Sequence, residues 1–377
     1  MKVIFTCGGT AGHVNPALAL AGLIRERRPG SEILFVGARR GIEKRLIEEA
    51  GWPFRAVEIS SFHRSLKPKE IRHNLISLKN LVTSPAQAKA LLREFPADLV
   101  VGTGGYASYP VVKAAAKMGI PTAVHESNAI PALTTRLLEP FADLIMVGFE
   151  ECRKNYKQPD KVLVTGTPVR GDFFTHTKKE ARAKLGFTDE KPLIVSFWGS
   201  LGAGAMNRQM VDFLALEAGE RRFRHVHGGG VVGARQMAEY MKEKGVELSG
   251  TPELEVREYI HDMGLMMRAA DLVICRAGAS TISELTALGV PAIIVPSPNV
   301  TGNHQEHNAR VLSEAGGAQL LLEKDSSGAR LYEIARSILE DGERCRSMSR
   351  AMARLGTVDA AERIYTAVMA LSAKKRR

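Results

Sequence analysis

Two stretches of this chain carry the same ordered set of signals. Ala97-Asp98-Leu99-Val100-Val101 runs into the turn Gly102-Thr103-Gly104-Gly105-Tyr106-Ala107-Ser108, then a helical stretch, then the stop Gly119-Ile120-Pro121. Ala270-Asp271-Leu272-Val273-Ile274 runs into Cys275-Arg276-Ala277-Gly278-Ala279-Ser280, then a helix from Thr281, then the stop Gly289-Val290-Pro291 and a second apolar run. A strand-length apolar run, a small-residue turn, a helix and another apolar run make a βαβ unit, whose two strands must be parallel because the crossover is long. Nine further runs of the same kind alternate with helical stretches, beginning at Val3, Ile33, Thr122, Leu144 and Val162 and, after Pro168, at Leu193, Arg224, Leu254 and Ala318, beside the run at Ala292. The 377 residues exceed one ordinary α/β domain. The expectation is therefore two Rossmann-like, doubly wound parallel-sheet domains. The boundary falls at Gly166-Thr167-Pro168-Val169-Arg170, giving 1–167 and 168–354, with a C-terminal helix near 355–373 returning to the first domain. Sheets of this kind bind ligands beyond the carboxyl ends of their strands, so facing domains are expected to enclose one central cleft lined by the glycine turns.

Composition narrows the class. With 45% hydrophobic and 25% charged residues the chain is expected to be globular, and its apolar runs are strand-sized rather than membrane-spanning. A strand that starts at Val3 leaves no room for a leader peptide, so a cytoplasmic chain is expected. Cys7, Cys152, Cys275 and Cys345 have no metal-ligand spacing, which predicts reduced thiols without a disulfide or zinc. The net charge of +11 implies an anionic partner. Aromatic residues at 6% and the lack of a nucleic-acid motif turn that expectation away from DNA and RNA. Between Arg64 and Arg93, cations including Arg64, Lys67, Lys69 and Arg72 interleave with Leu66, Ile71, Leu75 and Leu78, the make-up of a helix lying on an anionic bilayer or packing its apolar face on its own domain. The basic tail Lys374 to Arg377 can serve the same surface or fray.

The turns carry the candidate chemistry. Thr10, Ala11, Gly12 and His13 open a helix directly after the first strand, where a neutral imidazole able to accept a proton is expected. The spacing G-x-G-x-x-G is absent and no acidic residue ends the second strand, which argues against hydride chemistry. Gly104, Gly105 and Tyr106 suit an acceptor phosphate or pyrophosphate. His125-Glu126-Ser127-Asn128 puts polar groups where a ligand edge should lie, a costly arrangement unless solvent or substrate meets them. Ser200, in Gly199-Ser200-Leu201-Gly202-Ala203, is placed for a nucleotide phosphate or for an ordinary N-cap. Glu284 faces two readings, a ribose partner or half of a Thr281-x-x-Glu284 capping box. Residues 302–308, with His304 and Gln305, read as a loop able to hydrogen-bond sugar hydroxyls.

Taken in order, GGTAGHVNPALALA, GTGGYASYP, HESNAIPALTTR, GTPVR, GSLGAGAMN, YIHDM and the span RAGASTISEL to HQEHNA resemble the bacterial MurG family from residue 2 to about 365. The resemblance implies a GT-B architecture and an inverting transfer of N-acetylglucosamine from UDP-N-acetylglucosamine to the 4-hydroxyl of undecaprenyl-linked muramyl-pentapeptide, the step from lipid I to lipid II. It implies a first half that binds the lipid acceptor at the cytoplasmic face of the membrane and a second half that binds the sugar nucleotide. Thr10, Ala11 and Gly12 match the family's first glycine loop, Asn128 its sugar contact, and Arg170 and Ser200 its nucleotide contacts. Ile260 matches the position whose backbone recognises uracil. Ala279, Ser280, Thr281, Ile282, Ser283 and Glu284 match the phosphate and ribose segment, and Gln305 a sugar contact. Ala11, Trp198, His227-Gly228-Gly229-Gly230, Ala132 and Thr135 depart from the usual pattern. His13 is the expected general base, with Glu126 as the second candidate. No Asp-x-Asp motif is present, so helix N-terminal N–H groups near Ala279 and Ser200 are expected to take the charge of the leaving group, with no metal or cofactor. A glycosyltransferase with another lipid acceptor, a UDP-sugar epimerase of the same architecture and an idle nucleotide sensor are the alternatives.

Overall fold

The computed structural model describes residues 1–60, 68–199, 202–230, 233–248 and 250–374. The chain divides into two compact units, Met1–Arg170 with Thr357–Arg377, and Gly171–Gly356.

Unit 1 runs β1 (Lys2–Thr6), α1 (Ala11–Arg27), β2 (Glu32–Ala38), α2 (Ile42–Glu49), β3 (Phe54–Val57), α3 (Pro68–Glu94), β4 (Leu99–Gly102), α4 (Ser108–Lys117), β5 (Thr122–Glu126), α5 (Leu133–Leu138), β6 (Leu144–Val147), α6 (Glu150–Arg153) and β7 (Val162–Val164). All seven strands are parallel, in the order β3-β2-β1-β4-β5-β6-β7. The strand period of two sorts the side chains into two cores. Ile4, Leu34, Val36, Val100 and Val124 face one, with Ala88, Leu92, Val111 and Ala115 from α3 and α4. Val3, Phe5, Phe35, Leu99 and Val101 face the other, with Val14, Ala17, Leu20 and Ile24 from α1. Strand β3 was not legible in the sequence, because it is four residues at the sheet edge with the exposed Arg55 inside it.

Unit 2 runs α7 (Lys178–Lys184), β8 (Leu193–Phe197), α8 (Gly204–Glu220), β9 (Arg224–Gly228), α9 (Gly233–Lys244), β10 (Leu254–Arg257), α10 (Met263–Ala269), β11 (Leu272–Cys275), α11 (Ala279–Leu288), β12 (Ala292–Ile294), α12 (His304–Glu314), β13 (Ala318–Leu320), α13 (Gly328–Leu339) and α14 (Gly342–Leu355). Its six parallel strands follow the order β10-β9-β8-β11-β12-β13. Each sheet starts at an inner strand, winds outward and then reverses, so its switch point lies between β1 and β4 in unit 1 and between β8 and β11 in unit 2.

The last helix, α15 (Ala360–Lys374), belongs to unit 1. It lays Ile364 and Val368 into the core beside α1, and Glu362 pairs with Arg27 at 2.5 Å. Helix α3 buries Ser77, Ser84, Ala88 and Leu92, and Ala88 and Leu92 join the unit 1 core. Its first turns differ: Ile71 is 47% exposed and Leu75 64%, and on α5 Leu133 and Leu137 are also exposed. Arg64, Lys67 and the tail 375–377 lie outside the described residues. Among the described residues no helix is long and apolar enough to cross a membrane.

If α15 is a working part of the unit 1 core, Ile364→Ala should cost about 2–5 kcal/mol, the usual range for truncating a buried isoleucine. A urea denaturation midpoint unchanged from the parent chain would show that the helix contributes nothing.

Candidate functional site

In unit 1 the turns after β1 and β4 flank the switch point, and backbone contacts hold them together. Gly8 N–H donates to the Gly104 carbonyl at 3.2 Å and Thr103 N–H to that of Thr6 at 3.0 Å. The Thr103 hydroxyl donates to the His13 carbonyl at 2.6 Å, and the Ser108 hydroxyl lies 2.9 and 2.8 Å from the Thr6 and Gly104 carbonyls. Neither Thr103 nor Ser108 stood out in the sequence; a buried hydroxyl in a turn needs a backbone partner, which only the fold identifies. At Gly105 (φ +81°) a Cβ would stand 1.9 Å from the Gly8 carbonyl oxygen, so the crossing admits no side chain.

His13 is the third residue of α1. Its Nδ1 lies 2.7 Å from the Gly8 carbonyl oxygen and 3.3 Å from Thr10 Oγ1. A carbonyl can only accept, so Nδ1 carries the hydrogen, and in the neutral ring Nε2 is a bare acceptor. A Cβ at Gly104 would sit 2.6 Å from His13 Cδ2 and 3.1 Å from Nε2, so the lack of a side chain there keeps that edge of the imidazole clear. Thr10 is the N-cap of α1 in extended conformation without a side-chain cap bond, and Ala11 and Gly12 are the first helical residues. Burial, then the charge of Glu43, pushes the Tyr106 hydroxyl up, so the phenol stays a hydrogen-bond donor.

The polar run closing β5 is satisfied from within, contrary to the expectation that a ligand or solvent must meet it. Glu126, 3% exposed, accepts from Asn128 N–H at 3.0 Å and Asn128 Nδ2 at 2.8 Å through one oxygen, and from Ala132 N–H at 2.8 Å and Thr135 Oγ1 at 2.7 Å through the other. Four donors fill its lone pairs, and the carboxylate serves to fold the β5–α5 turn and to aim Asn128. The departures Ala132 and Thr135 thus stand at positions that bind Glu126. His125, fully buried, donates from Nε2 to the Gly166 carbonyl at 3.0 Å, with Nδ1 3.3 Å from Ser127 Oγ. Burial holds this imidazole below its ordinary range.

In unit 2 the α11 turn follows β11 at the second switch point. The N-cap is Gly278, which has no side chain, and no side-chain cap bond is present. The capping-box alternative for Thr281 and Glu284 therefore fails: Thr281 is already the third helical residue. The N–H groups of Ala279, Ser280 and Thr281 have no intrahelical acceptor, since the first turn of a helix has none. The Ser280 hydroxyl is shielded and has no hydrogen-bond partner, while Ser283 Oγ returns to the Ala279 carbonyl at 2.9 Å and Ile282 points into the core. The Gly289 stop is a left-handed cap, with Gly289 N–H donating to Thr286 at 3.2 Å and Val290 N–H to Leu285 at 3.1 Å.

Ser200 lies outside the described residues. The rest of its turn meets the turn after β9 as the unit 1 turns meet: at Gly202 (φ +76°) a Cβ would stand 2.1 Å from the Gly229 carbonyl oxygen. Behind that crossing Ser196 Oγ lies 2.7 Å from both His225 Nε2 and His227 Nδ1, and Asn207 Nδ2 donates to the Gly229 carbonyl at 2.8 Å. Burial drives His227 down to about 3 and His225 well below its ordinary value, so both imidazoles are neutral framework. Trp198 is buried beside His227, with the Arg276 guanidinium 5.8 Å from its ring. Ile260 is buried against Gly228 after β10, and Arg170 is exposed at the end of unit 1. Gln305 is not in a loop: it stands in the first turn of α12, where its Oε1 accepts from Ser297 N–H at 2.8 Å and its amide NH2 is the remaining donor pair. The positive φ at Gly302 and Asn303 lets that helix start earlier than the polar sequence suggests.

The comparisons with known proteins cover both units. The Glycosyltransferase family 28 N-terminal domain matches residues 3–147 and the family 28 C-terminal domain residues 193–364. The UDP-N-acetylglucosamine--N-acetylmuramyl-(pentapeptide) pyrophosphoryl-undecaprenol N-acetylglucosamine transferase of Acetivibrio thermocellus is 41% identical over 97% of this chain and 96% of its own. The transferase of the same name from Caldanaerobacter subterraneus is 39% identical over 99% and 100%. Among solved structures, MurG of Acinetobacter baumannii superposes with a TM-score of 0.74 at 23% identity, over 98% of this chain and 99% of that one. A putative UDP-N-acetylglucosamine 2-epimerase of Listeria monocytogenes superposes at 0.68 with 17% identity, over 98% and 96%, so the GT-B fold alone does not separate transferase from epimerase. Sequence identity along almost the whole chain does: the protein belongs to the MurG family of glycosyltransferases.

Proposed function

We propose that this chain transfers N-acetylglucosamine from UDP-N-acetylglucosamine to the 4-hydroxyl of undecaprenyl-pyrophosphoryl-N-acetylmuramyl-pentapeptide, with inversion at the anomeric carbon. The observation that carries this is the 41% and 39% identity, end to end, with transferases of that name. In this reading His13 Nε2 takes the acceptor hydroxyl's proton as its oxygen bonds to the anomeric carbon, while the bond to the UDP oxygen breaks. The hydrogen on Nδ1 fixed by Gly8 supports that role, because it leaves Nε2 to accept. Glu126, with four donors on its two oxygens, is the weaker candidate base and positions Asn128 for the sugar. The unpaired N–H groups of Ala279, Ser280 and Thr281 and the dipole of α11 take the developing diphosphate charge, Glu284 meets the ribose, the backbone at Ile260 meets the uracil, and Arg170, Ser200 and Gln305 complete the donor contacts. The acceptor's pyrophosphate lies at Gly104 to Tyr106, and Thr10, Ala11 and Gly12 contact substrate. No metal or cofactor is needed for these roles. Unit 1 is the acceptor and membrane unit, and unit 2 the donor unit.

We place the protein peripherally on the anionic cytoplasmic face of the cell membrane, held by Ile71 and Leu75 and by the cations that neighbour them in sequence. A bilayer gives exposed leucine and isoleucine a place to bury, and the net charge of +11 draws the chain to anionic lipid.

The deciding experiment is incubation with labelled UDP-N-acetylglucosamine and the lipid-linked muramyl acceptor. Label should move to lipid. Conversion of the donor's sugar to its epimer without acceptor would favour an epimerase, and transfer only to a different lipid would favour the other glycolipid reading.

Replacing His13 with alanine should lower kcat by about 10²- to 10⁴-fold, the usual range for general-base catalysis, with KM for the donor nearly unchanged; full activity would remove the base from this residue. Glu284→Ala should weaken UDP binding by about 1–3 kcal/mol, and calorimetry giving the parent affinity would exclude the ribose contact. The double variant Ile71→Ser, Leu75→Ser should lose sedimentation with anionic vesicles, and undiminished cosedimentation would show that the membrane reads another surface.

A further inference from the structure

Glu43 is a fully buried carboxylate that the donor and acceptor roles leave unused. It stands in the first turn of α2, and its two oxygens take one backbone donor each: Oε1 accepts Ala38 N–H at 2.9 Å, and Oε2 accepts Gly9 N–H at 3.1 Å. Room is cleared around it. A Cβ at Gly37 would stand 2.7 Å from its Cγ, and one at Gly41 2.1 Å from its carboxylate atoms. Among the described residues no cation pairs with it. The titratable groups that face it are Cys7, just after β1, and Tyr106 from the β4–α4 turn, both pushed up chiefly by burial and further by the Glu43 charge. The nearby Arg39 is spent at the surface on Glu58. Burying an unpaired carboxylate is costly, so its two backbone bonds have to do something the fold needs.

The peptide it grips is the one that holds the histidine. Gly9 N–H and the Gly8 carbonyl belong to a single planar amide. Glu43 Oε2 accepts from its N–H, and its oxygen accepts from His13 Nδ1–H at 2.7 Å. The order is carboxylate, amide N–H, amide C=O, imidazole N–H: a carboxylate–histidine pair with one peptide group between the partners. An amide whose N–H is bound to an anion becomes a stronger acceptor at its oxygen, because hydrogen bonds in a chain polarise one another. It also cannot flip without leaving the carboxylate unpaired.

We infer that Glu43 is a positioning residue for His13, acting through the Gly8–Gly9 peptide to hold the Nδ1–H tautomer and to make Nε2 a better proton acceptor. This rests on His13 as the base, and the test separates the two. In wild-type protein labelled with 15N-histidine, His13 should show Nδ1 protonated and Nε2 bare at neutral pH; the opposite tautomer overturns the inference whatever the catalytic role of His13. In Glu43→Gln the amide loses the charge and meets one backbone N–H with its own NH2. His13 should then show mixed tautomers, kcat should fall roughly 10- to 100-fold, the scale seen when a group orienting a functional histidine from behind is lost, and the acid limb of the pH–rate profile should move to lower pH. KM for UDP-N-acetylglucosamine should not change. Glu43→Asp, which keeps the charge on a shorter arm, should recover the acid limb in part. A Glu43→Gln protein that melts like wild type with wild-type tautomer and acid limb overturns the inference and leaves the base reading intact, whereas a fully active His13→Gln overturns the base reading alone. If Glu43→Gln does not fold, the wild-type tautomer and the Glu43→Asp profile still decide.

Discussion

Everything at the candidate site depends on two places where backbone crosses backbone with no side chain between. In unit 1 the turn after β4 lies on the turn after β1, with Gly105 against the Gly8 carbonyl; in unit 2 the turn after β8 lies on the turn after β9, with Gly202 against the Gly229 carbonyl. A doubly wound sheet brings helix N-termini to the carboxyl ends of its strands, but it does not by itself set the distance between neighbouring turns. That distance is set by the absent Cβ. Each crossing is then pinned by buried polar groups, Thr103 and Ser108 in unit 1 and the Ser196, His227 and Asn207 network in unit 2. The pins are neutral, which suits the proposed role of these turns in receiving anions without carrying a competing charge.

The same arrangement explains which polar residues are framework. His225 and His227 hold low proton affinity because burial disfavours the imidazolium, reinforced at His225 by the neighbouring His227, while the bond to Ser196 acts the other way on His227 without overcoming burial. Glu126 is closed by four donors. His13 alone of these sits with one ring nitrogen committed to backbone and the other beside a glycine, so the turn that fixes it also leaves its Nε2 edge uncovered.

Much of this was legible in the sequence because it was written as periodicity and small residues. Strands at Leu99, Leu193 and Leu272 begin where their apolar runs begin, since a strand buried on both faces reads as a continuous hydrophobic run. The edge strand β3 did not, being short and half polar. Thr281-x-x-Glu284 satisfies the spacing of a capping box, yet the helix begins two residues earlier at Ala279, and only backbone geometry shows that. Glu43 was invisible for the opposite reason: in Ile42-Glu43-Lys44-Arg45-Leu46-Ile47-Glu48-Glu49 it reads as one more charge on a solvated helix face. The signal lay in its flanks, since Gly37 and Gly41 bracket the turn from β2 into α2 and make space for a carboxylate that composition places in water.

The interposed peptide has a physical rationale in the charge of the proposed acceptor. A carboxylate bonded directly to Nδ1 would orient the ring equally well, but it would bring a full negative charge near a site that has to admit a pyrophosphate. Coulomb repulsion falls with distance and with the dielectric between the charges. Moving the charge back by one amide, among Gly37, Gly41 and the end of β1, keeps the directional effect, which travels through hydrogen bonds, and weakens the repulsion, which travels through space. The first turn of α2 meets the carboxylate with the positive end of its helix, offsetting part of the burial cost. An enzyme acting on a diphosphate thus gains the orientation a carboxylate gives a histidine while keeping the anion out of the substrate's path.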